Sequence, residues 1–278
     1  MVNIVLVCVG NFQEYIITNI TQLLRLGHTS IHVLTNGYLF PNFSQYKDHP
    51  QVKIFGVESL NDSYRYYERT NLDKGFRSGF WALASLRFFY IYEYMEQFGI
   101  DNVVHLENDV LVYYSCDEIA LRAGRQHVYM PFDCYDRNIA SIVYIPSASV
   151  FRRILDQYDL TRNDMENFAQ ISKRCDLIQR FPIFPANMYT NPEIQFVSEN
   201  HHKFGYIFDA AAIGQYLGGV DPRNNPGDTR GFINETCIIK YNEYNFIWEN
   251  RKPYIIINDM KFSVFNLHIH HKNLEDFI

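Results

Sequence analysis

The first third of the chain alternates short apolar runs with a stretch of helical periodicity. Residues 2–9 form a β-branched run closed by Gly10-Asn11, and residues 15–26 carry apolar side chains at helical spacing up to Gly27. Residues 31–34 then predict a second strand. A strand, a helix and a further strand in this order are typical of parallel βαβ units. The pattern therefore predicts an α/β protein in which helices pack on a central sheet.

The rest of the pattern adds strands and helices without a repeat or a low-complexity linker, so we expect one continuous domain. Residues 221–231 are polar and rich in Pro and Gly, which is typical of a lid or substrate loop. Residues 58–71 are also predicted to be a loop. The remaining predicted strands are 51–57, 102–106, 141–145, 254–257 and 263–269, and the remaining predicted helices are 76–98, one that opens at Pro146-Ser147, 161–173 and 208–216.

Composition and charge exclude several classes of protein. The 278 residues are 47% apolar and carry a net charge of −6 without a cluster of Lys and Arg, which argues against a nucleic-acid binder. No uncharged apolar run reaches the ~18 residues of a membrane helix, and the apolar N-terminus lacks the basic residues of a signal peptide. Five scattered cysteines indicate neither a disulfide framework nor a zinc ribbon. We therefore expect a cytoplasmic protein.

Two carboxylates one residue apart interrupt an apolar stretch. Residues 103–112 run from an apolar strand through Glu107-Asn108-Asp109 into a second apolar run. In open α/β sheets, side chains at the ends of strands line the crevice in which ligands bind. Hard oxygen ligands of this kind suit Mn²⁺ or Mg²⁺ bridging a nucleotide diphosphate. A polar turn between two strands is the alternative interpretation.

Arg87 falls on the apolar stripe of the helix predicted for residues 76–98. A guanidinium on such a stripe needs an anionic partner, unless its stem snorkels at the margin of the helix. The apolar members of the stripe are Phe80, Leu83, Ile91, Met95 and Phe98.

Near the C-terminus, residues 266–272 read Asn-Leu-His-Ile-His-His-Lys. On a strand, Asn266, His268, His270 and Lys272 would share one face. Two imidazoles and an ammonium side by side can bind a metal and a phosphate together. An accidental surface cluster of histidines is the alternative.

The long helix with Arg87, the Gly-Ile-Asp-Asn-Val-Val-His-Leu strand and Glu107-Asn108-Asp109 together resemble the D-x-D region of GT-A-fold glycosyltransferases, with Glu in place of the first Asp. The resemblance implies a Rossmann-like single domain, 1–278, with a mixed, mostly parallel central sheet flanked by helices. It assigns nucleotide-sugar binding to residues 1–140 and acceptor binding to residues 141–278. The implied reaction is metal-dependent transfer of a sugar from a nucleoside diphosphate to a glycan hydroxyl.

The resemblance also implies roles for individual residues. Asp109 and a late histidine, His268 or His270, would bind the metal, and Glu107 would face the metal or the nucleotide ribose. Arg87 would contact the donor or a carboxylate of the motif, and Lys272 would contact the diphosphate. Asp133 and Asn138 would lie on the sugar side of the donor, although both residue types are also common in turns.

The segment 208–222 carries the predicted catalytic carboxylate. Asp209 precedes three alanines, and in the GT-A family the general base commonly starts such a helix beneath the acceptor. Asp209 is therefore the first candidate for the base and Glu235 the second, while a helix cap is the alternative role of Asp209. No second carboxylate lies close in sequence to Asp209 to act as a nucleophile, so we expect inversion at the anomeric carbon.

This segment and the histidine-rich ending also resemble the small glycosyltransferases that large DNA viruses of algae, the chloroviruses, encode for capsid glycans. That likeness implies UDP-xylose as the sugar donor, and a viral protein that acts in the host cytoplasm.

Two other functions compete with sugar transfer. A sugar-nucleotide pyrophosphorylase would want a Gly-rich, cation-bearing triphosphate loop after the first strand, and residues 9–12, Val-Gly-Asn-Phe, have neither feature. A noncatalytic carbohydrate-binding protein would use the many Tyr and Phe residues, but it has no need for paired carboxylates together with a His/His/Lys strand.

Overall fold

The computed structural model of the protein describes residues 1–186 and 191–278. The helices within this part are α1 (Ile16–Arg25), α2 (Tyr66–Arg69), α3 (Phe80–Phe98), α4 (Asp117–Ala123), α5 (Ala148–Leu155), α6 (Asp164–Ser172), α7 (Pro192–Ser198), α8 (His201–Phe204) and α9 (Ile213–Gly218). The strands are β1 (Asn3–Cys8), β2 (Ile31–Thr35), β3 (Val52–Gly56), β4 (Val103–Leu106), β5 (Val110–Val112), β6 (Val128–Cys134), β7 (Arg137–Asn138), β8 (Ile142–Ile145), β9 (Ile178–Phe181), β10 (Asn245–Glu249), β11 (Lys252–Ile257), β12 (Met260–Ser263) and β13 (Asn266–His268).

The central sheet has the strand order β3-β2-β1-β4-β8-β6-β7, and β9 also pairs with β6. Strands β3, β2, β1 and β4 are parallel, whereas β8 is antiparallel to both β4 and β6. Strand β9 is parallel to β6. The predicted fold class, a mixed and mostly parallel central sheet flanked by helices, is therefore confirmed.

Two smaller sheets complete the fold. Strands β10, β11 and β12 form an antiparallel meander. Strand β13 pairs antiparallel with β5, in a register that sets His268 opposite Val110 and Asn266 opposite Val112. This pairing carries the C-terminal histidines to the turn between β4 and β5.

Apolar side chains fill both faces of the central sheet. One core cluster joins α3, α5 and α6 to the sheet, and includes Phe88, Met95, Phe151 and Phe168. The cluster on the other face joins α1 and α4 to the sheet, and includes Ile20 and Leu23. None of the helices in the described residues is long and apolar enough to cross a membrane.

The structure corrects several predicted boundaries. The predicted helix 76–98 begins at Phe80, because Arg77 and Gly79 adopt left-handed backbone angles with φ of 46° and 83°. Phe80 and Phe98, which were expected on its buried stripe, are 41% and 45% exposed. The predicted loop 58–71 contains α2, and the predicted strand 263–269 is divided between the end of β12 and β13. Strands β6, β7, β9 and β10 were not predicted.

Candidate metal centre

The turn between β4 and β5 places two carboxylates at the end of the central sheet. The backbone N–H of Val110 donates to the carbonyl of Glu107 at 3.0 Å, which closes the turn. Between the two acids, the Asn108 side chain points into the protein and donates to the carbonyl of Val7 at 2.8 Å. Asn19 of α1 donates to the carbonyls of Glu107 and Asn108, both at 3.2 Å. The first strand and the first helix therefore hold the turn rigidly.

The register of β13 brings His268 to these carboxylates. The N–H of Ile269 donates to the carbonyl of Asp109 at 2.8 Å. His268 Nε2 lies 3.1 Å from Glu107 Oε2 and 3.2 Å from Asp109 Oδ2. The pairing of two strands that are distant in sequence thus assembles a carboxylate–carboxylate–imidazole group.

This group fits a divalent cation. One ligand atom each from Glu107, Asp109 and His268 lies within 4.8 Å of the other two. Two carboxylate oxygens and an imidazole nitrogen are ligands that Mn²⁺ accepts. Because the lone pair of a neutral Nε2 would face two anionic oxygens, the arrangement calls for a proton or a metal ion between them. The ammonium of Lys272, which pairs with Asp109, already supplies positive charge at this place.

Electrostatics in the group favour the ionised forms. Burial opposes the charge on Asp109, but Lys272 and His268 outweigh it and hold the pKa of this carboxyl well below its usual value. Burial likewise opposes the charge on His268, yet the carboxylates of Asp109 and Glu107 raise the pKa of this imidazole above its usual value. Asp109 is therefore held as a carboxylate, and His268 favours its positively charged form beside it.

Arg87 reaches the group from α3. Its Nη1 pairs with Glu107, and its Nη2 donates to Asp164 at 3.0 Å and to the carbonyl of Ala140 at 3.3 Å. Although burial opposes its charge, the neighbouring Glu107 and Asp164 raise the pKa of the guanidinium. Arg87 thus has the anionic partners that its place on an apolar stripe requires.

Of the two candidate histidines, His268 is the one that lies with the carboxylates. The His270 ring lies 4.3 Å from the His268 ring, between centroids, and its Nδ1 contacts the side-chain amide of Gln215 at 3.0 Å. Burial, together with the charges of His268 and Lys272, lowers the pKa of His270 well below its usual value. Lys272 approaches Asp109 from a turn, where its φ is 70°, and not from a continued strand face as predicted.

Asp133 and Asn138 lie in a neighbouring polar cluster on β6 and β7. Asp133 is fully buried and pairs with Arg137, while the Asn138 amide donates to the carbonyl of Pro131 at 3.1 Å. Each keeps one buried side-chain oxygen without a hydrogen-bond partner within the described residues. Buried oxygens in this state are unusual in proteins and mark places where a donor is expected.

Asp209 is enclosed by backbone donors. One carboxylate oxygen accepts the N–H groups of Ala212 and Ile213 at 2.8 and 2.9 Å. The other accepts those of Gly214 and His268 at 2.8 and 2.9 Å. Burial raises the pKa of Asp209, and these hydrogen bonds oppose the rise. Helix α9 therefore begins at Ile213 and not at residue 208 as predicted. The same bonds tie this helix to β13, so Asp209 acts as a structural anchor beside His268.

The second candidate for the base, Glu235, lies on the surface. Its side chain is 82% exposed, and Lys240 Nζ lies 3.5 Å from its carboxylate.

Sequence reasoning missed four polar residues around the group. Asp164 is the first residue of α6, where acidic residues are common in any helix, so the sequence offered no signal. Tyr15 was included only in a predicted helix, and burial with the charges of Asp109 and Glu107 raises the pKa of its hydroxyl. Gln215 contacts His270. Arg223 was included only in the loop 221–231, whose polarity was the one available signal.

No family model matches the sequence, and no curated protein matches it either. Solved structures resemble it in architecture. One is the glycosyltransferase GlyE of Streptococcus pneumoniae, which is 13% identical with a TM-score of 0.44; the match covers 77% of this chain and 47% of GlyE. Another is the apo form of mouse xyloside xylosyltransferase 1, which is 10% identical with a TM-score of 0.48; the match covers 71% of this chain and 93% of that protein. A cytidylyltransferase of Leptospira borgpetersenii is also similar, with 14% identity and a TM-score of 0.38; the match covers 65% of this chain and 75% of that protein.

The match thus spans less than half the length of GlyE. Likeness at this level concerns architecture alone.

Proposed function

We propose that the protein is a metal-dependent glycosyltransferase that moves a sugar from a nucleoside diphosphate to a hydroxyl of a glycan. The observation that supports this function is the meeting of Glu107, Asp109 and His268 with the cationic side chains of Arg87 and Lys272 at one end of the sheet. A ligand group of this composition, flanked by cations, suits a diphosphate carried on a divalent ion.

The metal ligands and the cationic side chains would bind different parts of the metal–donor complex. A bound divalent ion would neutralise charge on the departing diphosphate. Glu107, Asp109 and His268 would hold it, and Arg87 keeps Glu107 in place. Lys272 would exchange its pairing with Asp109 for a phosphate oxygen, a charge-assisted hydrogen bond.

Polar groups on α6, β6 and β7 would face the sugar. Asp164 Oδ1, Asp133 Oδ1 and Asn138 Oδ1 are buried and lack a donor within the described residues. Sugar hydroxyls are suitable donors for such oxygens, so we propose these three residues for the sugar side of the donor. We propose UDP-xylose as the first donor to test, on the sequence resemblance.

Transfer also requires a base that accepts the proton of the acceptor hydroxyl. The base role of Asp209 stays a prediction, because its contacts favour an anchoring role. Inversion also stays a prediction, which NMR of the product anomer tests. Retention would contradict it.

The test of the function is a binding and turnover panel. Thermal shift with UDP-, GDP-, dTDP- and CMP-sugars, with Mn²⁺ or with EDTA, should show stabilisation by one donor only when the metal is present. Asp109→Asn should abolish that shift and weaken Mn²⁺ binding by more than ~100-fold, beyond what a change outside the ligand set costs. Asp176→Asn, at a 79% exposed side chain, is the matched control. A donor that binds and reacts equally well in EDTA would contradict the proposal.

The loop after β1 argues against nucleotidyl transfer. The N–H of Gly10, which a triphosphate loop would offer to a phosphate, donates to Asn36 Oδ1 at 2.9 Å. The Gly10 carbonyl accepts from the Tyr38 hydroxyl at 2.5 Å. Formation of a labelled nucleoside triphosphate and a sugar phosphate from labelled pyrophosphate and a nucleotide sugar would reverse this assignment.

A further inference from the structure

Two Asp-x-Arg pairs lie in the segment that follows α9, which we call the rim loop (residues 219–231). In the first, Arg223 Nε lies 3.1 and 3.0 Å from the two carboxylate oxygens of Asp221, and its backbone N–H donates to Asp221 Oδ1 at 2.9 Å. In the second, Arg230 Nε lies 2.9 and 3.0 Å from those of Asp228, and its N–H donates to Asp228 Oδ1 at 3.1 Å. The two pairs are alike in local geometry.

Their surroundings differ. The Asp221 side chain is only 10% exposed, whereas that of Asp228 is 60% exposed. The hydrogen bond from Arg223, with the charge of Lys272 adding to it, lowers the pKa of Asp221. The first pair therefore lies within electrostatic reach of the lysine that contacts Asp109.

Arg223 itself lies within electrostatic reach of the metal centre. Hydrogen bonding to Asp221 raises the pKa of the guanidinium, and the charges of Tyr15 and Asp109 contribute to the rise. For Arg230, the additional charge is that of Asp276, near the C-terminus. The charge of Asp109 therefore acts on Arg223, whereas the additional charge that acts on Arg230 is that of Asp276.

The rim loop directly follows α9, and this helix lies against β13 beside the metal centre. One carboxylate oxygen of Asp209 accepts the N–H groups of both Gly214 and His268, and Gln215 contacts His270 at 3.0 Å. The N–H of Gly231 donates to the carbonyl of Tyr216 at 2.7 Å, and the N–H of Val220 donates to Thr229 Oγ1 at 2.8 Å. Farther along, Arg77 Nη2, before α3, donates to Asn224 Oδ1 at 2.7 Å. These contacts hold Arg223 between α9 and the segment that leads into α3.

We propose that Arg223 is an anion-binding residue of the site, which holds the diphosphate of the donor together with Lys272; this inference rests on the proposed function. Its pairing with Asp221 uses Nε and Nη2 and leaves the Nη1 protons for a phosphate oxygen. The side chain is 63% exposed, so it can turn to a ligand without leaving a packed position. Asp221 orients the guanidinium fork, and a planar fork suits bidentate contacts with phosphate.

The experiment compares Arg223→Gln with Arg230→Gln. Isothermal titration with Mn²⁺ present would measure the affinity of each variant for UDP, GDP, dTDP, ADP and CDP, and for the corresponding nucleosides. For the diphosphate that the wild type binds most tightly, Arg223→Gln should weaken binding about tenfold, in keeping with one lost charge-assisted hydrogen bond. It should also reduce the dependence of that affinity on salt. Arg230→Gln should stay within twofold of the wild type.

The outcomes separate the two proposals. A wild type that binds no nucleoside diphosphate rejects the proposed function and the anion-binding role with it. A wild type that binds one, with an equal affinity in Arg223→Gln, rejects the role of Arg223 alone. Equal losses in both variants indicate a general charge effect and also reject it. Because both arginines are exposed, thermal unfolding should show that the two variants fold like the wild type.

Discussion

At the scale of single residues, the candidate site is a balance of charges. Glu107, Asp109 and Asp164 bring three carboxylates together, while Arg87 and Lys272 bring two permanent cations. One negative charge is left over, and the raised pKa of His268 is the protein's response to it. A bound divalent ion would also compensate this negative charge, and Lys272 could then leave Asp109 and bind a ligand.

Asp209→Asn distinguishes a base from an anchor. The amide of Asn would place an NH₂ group against backbone N–H donors. We therefore expect the free energy of unfolding to fall by about 3 kcal/mol. We also expect weaker Mn²⁺ binding, because His268 would be displaced. Chemical denaturation and Mn²⁺ titration measure both quantities. A base would instead leave stability and donor affinity unchanged and lose roughly 10² or more in rate. That second result would support the base role predicted from the sequence.

The buried imidazole of His32 predicts acid sensitivity away from the site. It contacts the hydroxyls of Tyr94 and Ser30 at 2.6 and 2.8 Å, and burial, with the charge of Lys53, lowers its pKa to about 4. Between pH 6.5 and 4 the unfolded chain binds a proton that the folded protein excludes. Because of His32, the free energy of unfolding should therefore fall by about 1.4 kcal/mol for each unit by which the pH decreases in that window.

Urea unfolding between pH 7.5 and 4.5 measures this slope. His32→Gln should flatten the decline relative to the wild type, while His202→Gln, on an exposed residue, should follow the wild-type curve. Parallel curves for the wild type and His32→Gln would contradict the assignment.

At the scale of elements, what could be predicted from the sequence was local. Residues 2–9, 15–26 and 31–34 have strong periodicity, and the structure has β1, α1 and β2 there. Strand β13 ends at His268 because its length is set by pairing with β5, which lies about 150 residues earlier in the chain. Helix α9 was predicted to begin at residue 208 but begins at Ile213, because the Asp209 carboxylate accepts the N–H groups of residues 212–214. Long-range contacts of this kind leave no periodic signal in the sequence.

Gly214 shows how closely two elements must approach to build the site. A Cβ at this position would lie 2.0 Å from the carbonyl oxygen of His268, far inside contact distance. Gly214→Ala should push α9 away from β13, lower the melting temperature by several degrees and weaken Mn²⁺ binding. Gly37→Ala is the control, since its Cβ would meet only Glu58 Oε2 at an ordinary 3.7 Å. Wild-type metal affinity in a folded Gly214→Ala protein would disprove the coupling.

At the scale of the whole molecule, the two halves expected from the sequence are interleaved. Strand β8, from residues 141–278, lies between β4 and β6, which belong to residues 1–140. Strand β13 pairs with β5 across the same division. The core cluster beneath α3 likewise draws on both halves, from Val5 to Ile178. The metal centre therefore exists only when both halves are folded together.

This interleaving predicts that residues 1–140 do not fold alone. Without β8 and β9, the fragment would expose the edges of β4 and β6 and half of an apolar core, and unpaired edges of this kind favour aggregation. Circular dichroism and limited proteolysis of the fragment should show no cooperative unfolding, whereas the full chain should unfold in one transition with or without Mn²⁺. Co-expression with residues 141–278 supplies the control, because the missing strands then return and metal binding should recover. A soluble fragment 1–140 with its own sharp melting transition would show instead that the protein consists of two separate domains.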